Sequence, residues 1–398
     1  MNKKKSVLFI IGFTCPFPGA GWWRIFYFAK YFTKKGYRCY ILSSFSPSTI
    51  RFPKIVRKEN VRIYNMMPFI HFNNPFILCL NNMLTLITSF IFFLLYKPDT
   101  VIISLPPVDQ LLPVLFISQI MRCKLVIDYR DEFEDYLITR TKKCSLFYRL
   151  FKKILTYLYK NALLVTTVTP AVAENLKARG VFNVMVVYDG VDTNIFRPFN
   201  KNEIRTRFKL PQDSFIIVYM GNVYDPYRVD VVVRALKKLV ENGLQEYLLV
   251  LVGDGNIKSI LRLAYELEIG NSVKYLGVVN DPTELAKILS LADCGVIPYD
   301  DDPLWQRTYS TKLFEYCAVG LPVIATVHKN SILATLIIKN KIGLIVLPVD
   351  PDALALAFKK LNNDKGLLNE MALFALKFAR NYDKEKQARK LLEAIEGK

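Results

Sequence analysis

Short apolar runs alternate with helix-length amphipathic patterns along almost the whole chain of 398 residues. This alternation is typical of βαβ units, in which parallel strands form a sheet and helices cover both of its faces. In the first half, the pattern predicts strands at 7–11, 39–43, 101–104, 125–128, 163–169 and 184–188. The helix-length patterns between them lie at 22–35, 76–96, 107–121, 145–160 and 171–178.

The alternation pauses over 196–210, a polar and charged stretch that contains Pro198, and then restarts. The second half predicts strands at 215–221, 248–253, 273–276, 294–298, 323–325 and 343–346. We therefore predict two doubly wound, Rossmann-like α/β domains, 1–198 and 199–382, followed by a last helix at about 383–398. Because ligands bind at the carboxyl ends of parallel strands, the expected site is a cleft between the domains.

Composition narrows the choice of partners and compartment. The net charge of +19 favours anionic partners, which are nucleic acid, acidic lipid headgroups or phosphorylated substrates. The seven cysteines are scattered without a C-x-x-C pair, which fits a reducing compartment better than a disulfide framework. His71 and His328 are the only histidines, so a histidine-rich metal site is not expected.

Two segments point towards a membrane. The apolar stretch 76–96 is interrupted by Asn81 and Asn82, which leaves about 13 clean residues against the ~20 of a span, so it predicts a buried or membrane-touching helix. Residues 136–173 hold seven Lys or Arg and no acid, and 145–160 reads as a basic amphipathic helix that suits an anionic surface. The alternative is a core-packed helix with a basic outer face. The start, MNKKKSVLFIIGF, predicts a strand behind a basic tail rather than a signal peptide.

The segment STKLFEYCAVGLPVIAT, residues 310–326, combines a helix start, two charged side chains and a buried strand. Ser310 and Thr311 are good N-cap residues, and Lys312 falls in the first turn, where the helix dipole favours an anion. Glu315 follows Thr311 by one turn. A phosphate on Lys312 and a sugar hydroxyl on Glu315 would explain both residues; a solvated helix face is the alternative.

Glycines stand where three predicted strands of the second half end, at Gly221, Gly253 and Gly277. A missing side chain there lets the backbone approach a ligand closely, although each glycine alone is also a common turn residue. Together with the helix at 310–320, these ends predict one ligand site. Its candidate residues are Gly221, Asn222, Arg228, Gly253, Asp254, Val279, Thr311, Lys312, Leu313 and Glu315.

The segment 310–326 resembles the donor-site motif of the family 4 retaining glycosyltransferases, whose fold is GT-B. The resemblance implies that Lys312 contacts the donor diphosphate, that Glu315 contacts the ribose, and that the last helix crosses back to the first domain. It also implies a basic phosphate ligand after Gly221, for which Arg228 is the candidate. Many members carry a Glu where this chain has Arg307.

The acceptor side is expected in the first domain. The segment PFPGAGWWR, residues 16–24, follows the first strand, and the resemblance places its Gly21 near the donor diphosphate. Arg24 would meet an anion or be a surface cation. VIDYRDEFEDY resembles the D-x-R-D motif of a subgroup that acts on lipid-linked acceptors. Asp128 and Arg130 would then bind the acceptor, or form a structural ion pair, and Asp131 would accept the proton of the acceptor hydroxyl.

The resemblance thus implies a retaining hexosyl- or N-acetylhexosaminyl-transferase that assembles cell-surface polysaccharide or glycoprotein glycans. It would use a nucleotide-sugar as substrate, with no cofactor, metal or nucleic acid, at the cytoplasmic face of the cell membrane. Lys312, Arg228 and Asp131 are the catalytic candidates.

Two other functions stay open at this point. A nucleotide-sugar epimerase shares the fold, but such enzymes need several carboxylates and histidines for proton abstraction. A non-enzymatic basic protein that binds membrane or nucleic acid would explain the charge and leave the glycine-ended strands unexplained.

Overall fold

The computed structural model describes residues 5–12, 14–15, 20–46, 49–70, 75–106, 111–132, 134, 145–224, 227–241 and 246–397. The chain divides into two compact units, hereafter unit 1 (Met1–Asp189 with Lys384–Lys398) and unit 2 (Gly190–Asp383). This division lies nearer the amino end than the boundary predicted at 198. Residues 107–110 of the predicted third helix and most of 133–144 lie outside the described residues.

Unit 1 is built on an eight-stranded sheet with the order β3-β4-β2-β1-β5-β6-β7-β8. Its strands are parallel apart from β3, which pairs antiparallel with β4. The six predicted strands are present, whereas the β3–β4 hairpin was not predicted. The strands are β1 Ser6–Ile11, β2 Arg38–Phe45, β3 Ile55–Lys58, β4 Val61–Pro68, β5 Thr100–Leu105, β6 Lys124–Tyr129, β7 Leu164–Thr167 and β8 Val184–Val186.

Helices cover both faces of this sheet because neighbouring residues of each buried strand point to opposite sides. The helices are α1 Ala20–Lys34, α2 Pro75–Tyr96, α3 Leu111–Ile120, α4 Ser145–Asn161 and α5 Pro170–Ala178. One face packs against α2, α3, α4 and α5 in a single hydrophobic cluster. The other face packs against α1 and the carboxyl-terminal helix.

Unit 2 repeats the scheme with an entirely parallel six-stranded sheet in the order β11-β10-β9-β12-β13-β14. The strands are β9 Phe215–Met220, β10 Tyr247–Val252, β11 Val273–Tyr275, β12 Cys294–Pro298, β13 Val323–Thr326 and β14 Gly343–Val346. The helices are α6 Lys201–Arg207, α7 Val229–Glu241, α8 Ile257–Glu266, α9 Pro282–Ser290, α10 Lys312–Ala318, α11 Ile332–Asn340, α12 Pro351–Asn363 and α13 Lys365–Asn381.

The last helix, α14 Lys384–Glu396, returns to unit 1 as the sequence predicts. Ala388, Leu391, Leu392 and Ile395 are buried in the cluster beneath α1. At the surface, the Lys34 ammonium lies 2.7 Å from the Glu385 carboxylate. The chain therefore finishes unit 1 only after it has completed unit 2.

Candidate functional site

Lys312 begins the seven-residue helix α10, directly after the small residues Ser310 and Thr311. The Ser310 hydroxyl accepts a hydrogen bond from the Lys312 amide at 3.3 Å, so Ser310 fulfils the capping role predicted for this pair. Thr311 has helical backbone angles and makes no side-chain cap. Although it is a lysine, Lys312 is only 8 % exposed.

Two tyrosine rings that sequence reasoning missed lie against the ammonium of Lys312. Its Nζ lies 3.7 Å from the centre of the Tyr227 ring and 5.5 Å from that of Tyr219. Tyr227 stacks on Tyr299, and Tyr299 stacks on Trp305 with ring centres 4.6 Å apart. Such cation–π contacts hold a desolvated ammonium without neutralising it. The run of tyrosines around Gly221 was the available signal.

The three glycines lie at the ends of β9, β10 and β11, as predicted, and all have positive φ. The Gly221 amide donates to Val252 O at 2.8 Å, and the Gly253 amide donates to Gly277 O at 2.9 Å. A Cβ on Gly221 would lie 2.7 Å from Lys312 Cε. Gly221 therefore leaves room for the lysine, and Gly253 lets two strand ends approach each other.

Replacement of Gly253 should be costly for folding. Its φ of +135° is strained for any other residue, and a Cβ would lie 2.0 Å from Gly221 O. We expect Gly253→Ala to lower the free energy of unfolding by about 3 kcal/mol in urea denaturation. Gly270→Ala, which has open space and no positive φ, is the matched control and should change it by under ~1 kcal/mol. Equal values for both variants would contradict the close approach.

The other unit 2 candidates fall around the same strand ends. Leu313 is buried, Glu315 and Val279 are half-buried, and Asn222, Asp254 and Arg307 are exposed. Arg228 is held by a neighbour: its Nε and Nη2 donate to the two Asp230 oxygens at 2.8 and 2.7 Å. Burial raises the pKa of Asp230, but the hydrogen bond and charge of Arg228 outweigh it, so the net pKa is lowered. As a phosphate ligand, Arg228 would have to exchange this partner.

In unit 1, Arg24 and Asp128 form a buried ion pair, with Arg24 Nη2 lying 2.8 Å from Asp128 Oδ1. Arg24 Nε also donates to Asp128, and Nη1 lies 3.3 Å from Asp189 Oδ1. Burial alone would raise the pKa of Asp128, but Arg24, with Arg130 and the Thr166 hydroxyl, holds it below its ordinary value. The expectation of Arg24 as a surface cation is wrong, because Arg24 is 2 % exposed.

Arg130 and Asp131 lie beside this pair. The Arg130 guanidinium donates to Pro106 O at 3.2 Å and fills the space next to Gly21, where a Cβ would lie 2.4 Å from Nη1. Among the described residues, Arg130 Nε has no hydrogen-bond partner. Desolvation raises the pKa of Asp131 above its ordinary value, Arg130 lowers it, and Asp189 and Asp128 raise it further. The predicted acceptor residues and Gly21 thus form one cluster.

Comparison with known families covers almost the whole chain. Residues 23–195 match the model "Glycosyltransferase Family 4", and residues 200–395 match "Glycosyl transferases group 1". Among curated proteins, a D-inositol 3-phosphate glycosyltransferase of Nocardioides sp. is 27 % identical over 225 residues, which cover 53 % of this chain and 47 % of that protein. The chain thus spans about half the length of the curated relatives it matches.

Solved structures agree on the fold. Sucrose-phosphate synthase from Thermosynechococcus elongatus superposes with a TM-score of 0.77 at 16 % identity, covering 99 % of each chain. Anabaena HepE in complex with UDP gives a TM-score of 0.74 at 16 % identity, covering 99 % of this chain and 100 % of HepE. The predicted GT-B fold is confirmed. From both family matches, this chain belongs to the family 4 glycosyltransferases.

Proposed function

We propose that this chain is a retaining glycosyltransferase that moves a hexosyl or N-acetylhexosaminyl group from a nucleoside diphosphate sugar to a glycan acceptor. One observation carries the proposal. Lys312 is buried, and among the described residues no carboxylate lies within ion-pair distance of its ammonium. A buried cation without a counter-ion is costly. An anionic ligand would supply the missing charge.

The donor diphosphate suits that requirement. As the bond from sugar to phosphate breaks, negative charge grows on the leaving diphosphate, and a fixed cation in a desolvated site stabilises it strongly. Gly221, whose missing side chain makes room for Lys312, and half-buried Glu315 would complete the site, with Glu315 on the ribose. HepE, a relative in fold, binds UDP. The chemistry is proposed to need neither metal nor cofactor.

The acceptor is proposed to be a lipid-linked glycan at the cytoplasmic face of the cell membrane. Asp131 would accept the proton of its hydroxyl, since the raised pKa of this carboxyl makes it a better base than an ordinary aspartate. Leaving phosphate oxygen would assist on the same face of the sugar. Arg130 and the Arg24–Asp128 pair are then positioning residues for Asp131.

Transfer can be tested with labelled nucleotide-sugars, offered with membrane lipid extract or with inositol 3-phosphate. We expect label in the lipid fraction with wild type and at least tenfold less with Glu315→Ala, because one hydrogen bond to a charged group is worth about 1.5–3 kcal/mol. The product should keep the anomeric configuration of the donor, as read by NMR. Label on inositol 3-phosphate would show that the acceptor is this small molecule and not a lipid-linked glycan. Conversion of the donor sugar without any acceptor would favour an epimerase.

A further inference from the structure

Helix α2 buries polar side chains and exposes many of its apolar ones. Its polar side chains Asn81, Thr85 and Ser89, spaced four residues apart, face the protein and are at most 1 % exposed. Asn81 donates to and accepts from the Ile70 backbone, at 2.8 and 3.0 Å. Its apolar side chains face outwards instead; Phe76, Met83, Ile87, Phe90, Leu94 and Leu95 are among those that are 46–76 % exposed. Of the two asparagines predicted to interrupt the apolar stretch, Asn81 therefore does not interrupt its outer face, whereas Asn82 is half-buried.

The helix is long enough for a bilayer but is fixed to the domain. Its 22 residues include no charged side chain and, at about 1.5 Å per residue, measure about 33 Å. By length and composition alone, Cys79–Tyr96 would qualify as a membrane span, with a mean hydropathy of 1.7. Phe92 and Phe93, however, are buried in the core of unit 1. The arrangement suits a helix that lies in the membrane surface better than one that crosses it.

Two neighbours extend the apolar surface. Helix α3 packs beside α2 and exposes Phe116 and Ile120, which are one turn apart. Helix α4 packs on the same face of the sheet and exposes Leu150, Ile154 and Tyr157. We call the outer sides of α2, α3 and α4 the apolar layer. A large exposed apolar patch of this kind marks a surface for a partner or a membrane.

Cations border the apolar layer. Lys97 and Arg122 follow the last residues of α2 and α3, and α4 exposes Arg149, Lys153 and Lys160. Among the described residues, neither Lys97 nor Arg122 has a carboxylate within ion-pair distance. A cavity of about 510 Å³ lies at this end, lined by Lys5, Lys97, Arg122 and Lys124 together with Asp99 and Glu396. Both acids are engaged, Asp99 by Ser6 and Glu396 by the Tyr37 hydroxyl.

We infer that the apolar layer docks unit 1 on an anionic lipid bilayer, with α2 and α3 inserted among the acyl chains and the bordering cations on lipid phosphates. Apolar side chains that face outwards match the lipid interior, and the cations match the acidic headgroups. The basic helix α4 alone would give only salt-sensitive adsorption. The inference rests on the proposed function for its purpose, which is to reach a membrane-bound acceptor.

Vesicle flotation without any nucleotide tests docking apart from transfer. We expect the full chain to float with vesicles of phosphatidylcholine and phosphatidylglycerol. It should stay partly bound in 0.5 M NaCl, where the Debye length is about 4–5 Å and the attraction between exposed charges is strongly screened. The double variant Ile87→Glu/Leu94→Glu should reduce partitioning at least ~30-fold, because each substitution removes an apolar side chain that would otherwise be buried in lipid. The control is Leu373→Glu, which changes a leucine of unit 2 that is 69 % exposed, and this variant should float like wild type.

Cys79 offers a second measurement that needs no disruptive variant, because it is exposed on α2. In a Cys123→Ser/Cys144→Ser background, an environment-sensitive dye on Cys79 should shift to the blue with vesicles and be quenched by brominated acyl chains. Release of all protein by salt, or an unshifted dye, would overturn insertion. Insertion would also be overturned if the Ile87→Glu/Leu94→Glu variant floated normally, or if sedimentation showed that its only effect was to dissociate a dimer. Absence of sugar transfer by a wild-type protein that floats normally would instead contradict the proposed function and leave docking intact.

Discussion

Lys312→Met should lower the rate of sugar transfer about 10²–10³-fold, the usual effect of removing one preorganised group that stabilises growing charge. Methionine keeps most of the side-chain volume, so the contacts with Tyr227 and Tyr219 should persist while the charge is lost. The loss should appear in kcat at saturating donor as well as in KM. Initial rates measured over a range of donor concentrations check this.

The control for this variant is Lys339→Met, which removes an exposed lysine of the same unit. Its rate should equal that of wild type. Both variants should melt within a few degrees of wild type, because relieving the desolvation of Lys312 does not disturb the fold. A Lys312→Met protein that transfers sugar at the wild-type rate would show that this lysine does not serve the leaving diphosphate.

Asp128→Ala should lower the free energy of unfolding of unit 1 by about 3–5 kcal/mol, because it leaves the buried Arg24 guanidinium without its main partner. Urea denaturation followed by far-UV circular dichroism measures this loss. The control is Glu174→Ala, whose exposed pair with Lys177 should be worth under ~1 kcal/mol. Similar losses in both variants would show that the Arg24–Asp128 pair contributes no more than a surface pair.

The same pair should make stability depend on pH. Because the folded pKa of Asp128 is lower than normal, the ionised carboxylate stabilises the folded state above the unfolded pKa of about 3.9. That contribution is lost as the pH falls from there through the folded pKa. The stability difference between wild type and Asp128→Asn should therefore shrink in acid below about pH 4 and stay constant above about pH 5.

The sequence predicted the parallel strands of both units because fully buried strands appear as continuous apolar runs, as in Val250 and its neighbours. It missed β3, where Arg57 and Lys58 follow an exposed Ile55, and it missed β4, whose mostly buried run is interrupted by the exposed Arg62. The turn between β3 and β4 is formed by Glu59 and Asn60, which both adopt positive φ. Asparagine tolerates this conformation, so Asn60 was a weak sequence signal for the turn. The missed hairpin forms one edge of the sheet.

At the site, local motifs were predictable and distant partners were not. The cap at Ser310 and the glycine turns follow from neighbouring residues, so short stretches of sequence reveal them. The partner of Asp128 is Arg24, 104 positions away, and not the adjacent Arg130. The ring under Lys312 belongs to Tyr227, a contact that depends on how the segment between β9 and α7 packs against the start of α10. Such pairings depend on the fold, so a single sequence does not specify them.

The most direct test of the donor site is calorimetric titration with nucleoside mono- and diphosphates. Wild type should bind the diphosphate at least ~10-fold more tightly than the monophosphate of the same base, since a charge-assisted contact to the second phosphate is worth about 1.5–3 kcal/mol. In Lys312→Met that difference should disappear while monophosphate binding remains. Equal affinities in wild type, or a difference that survives the loss of Lys312, would contradict a diphosphate site at this lysine.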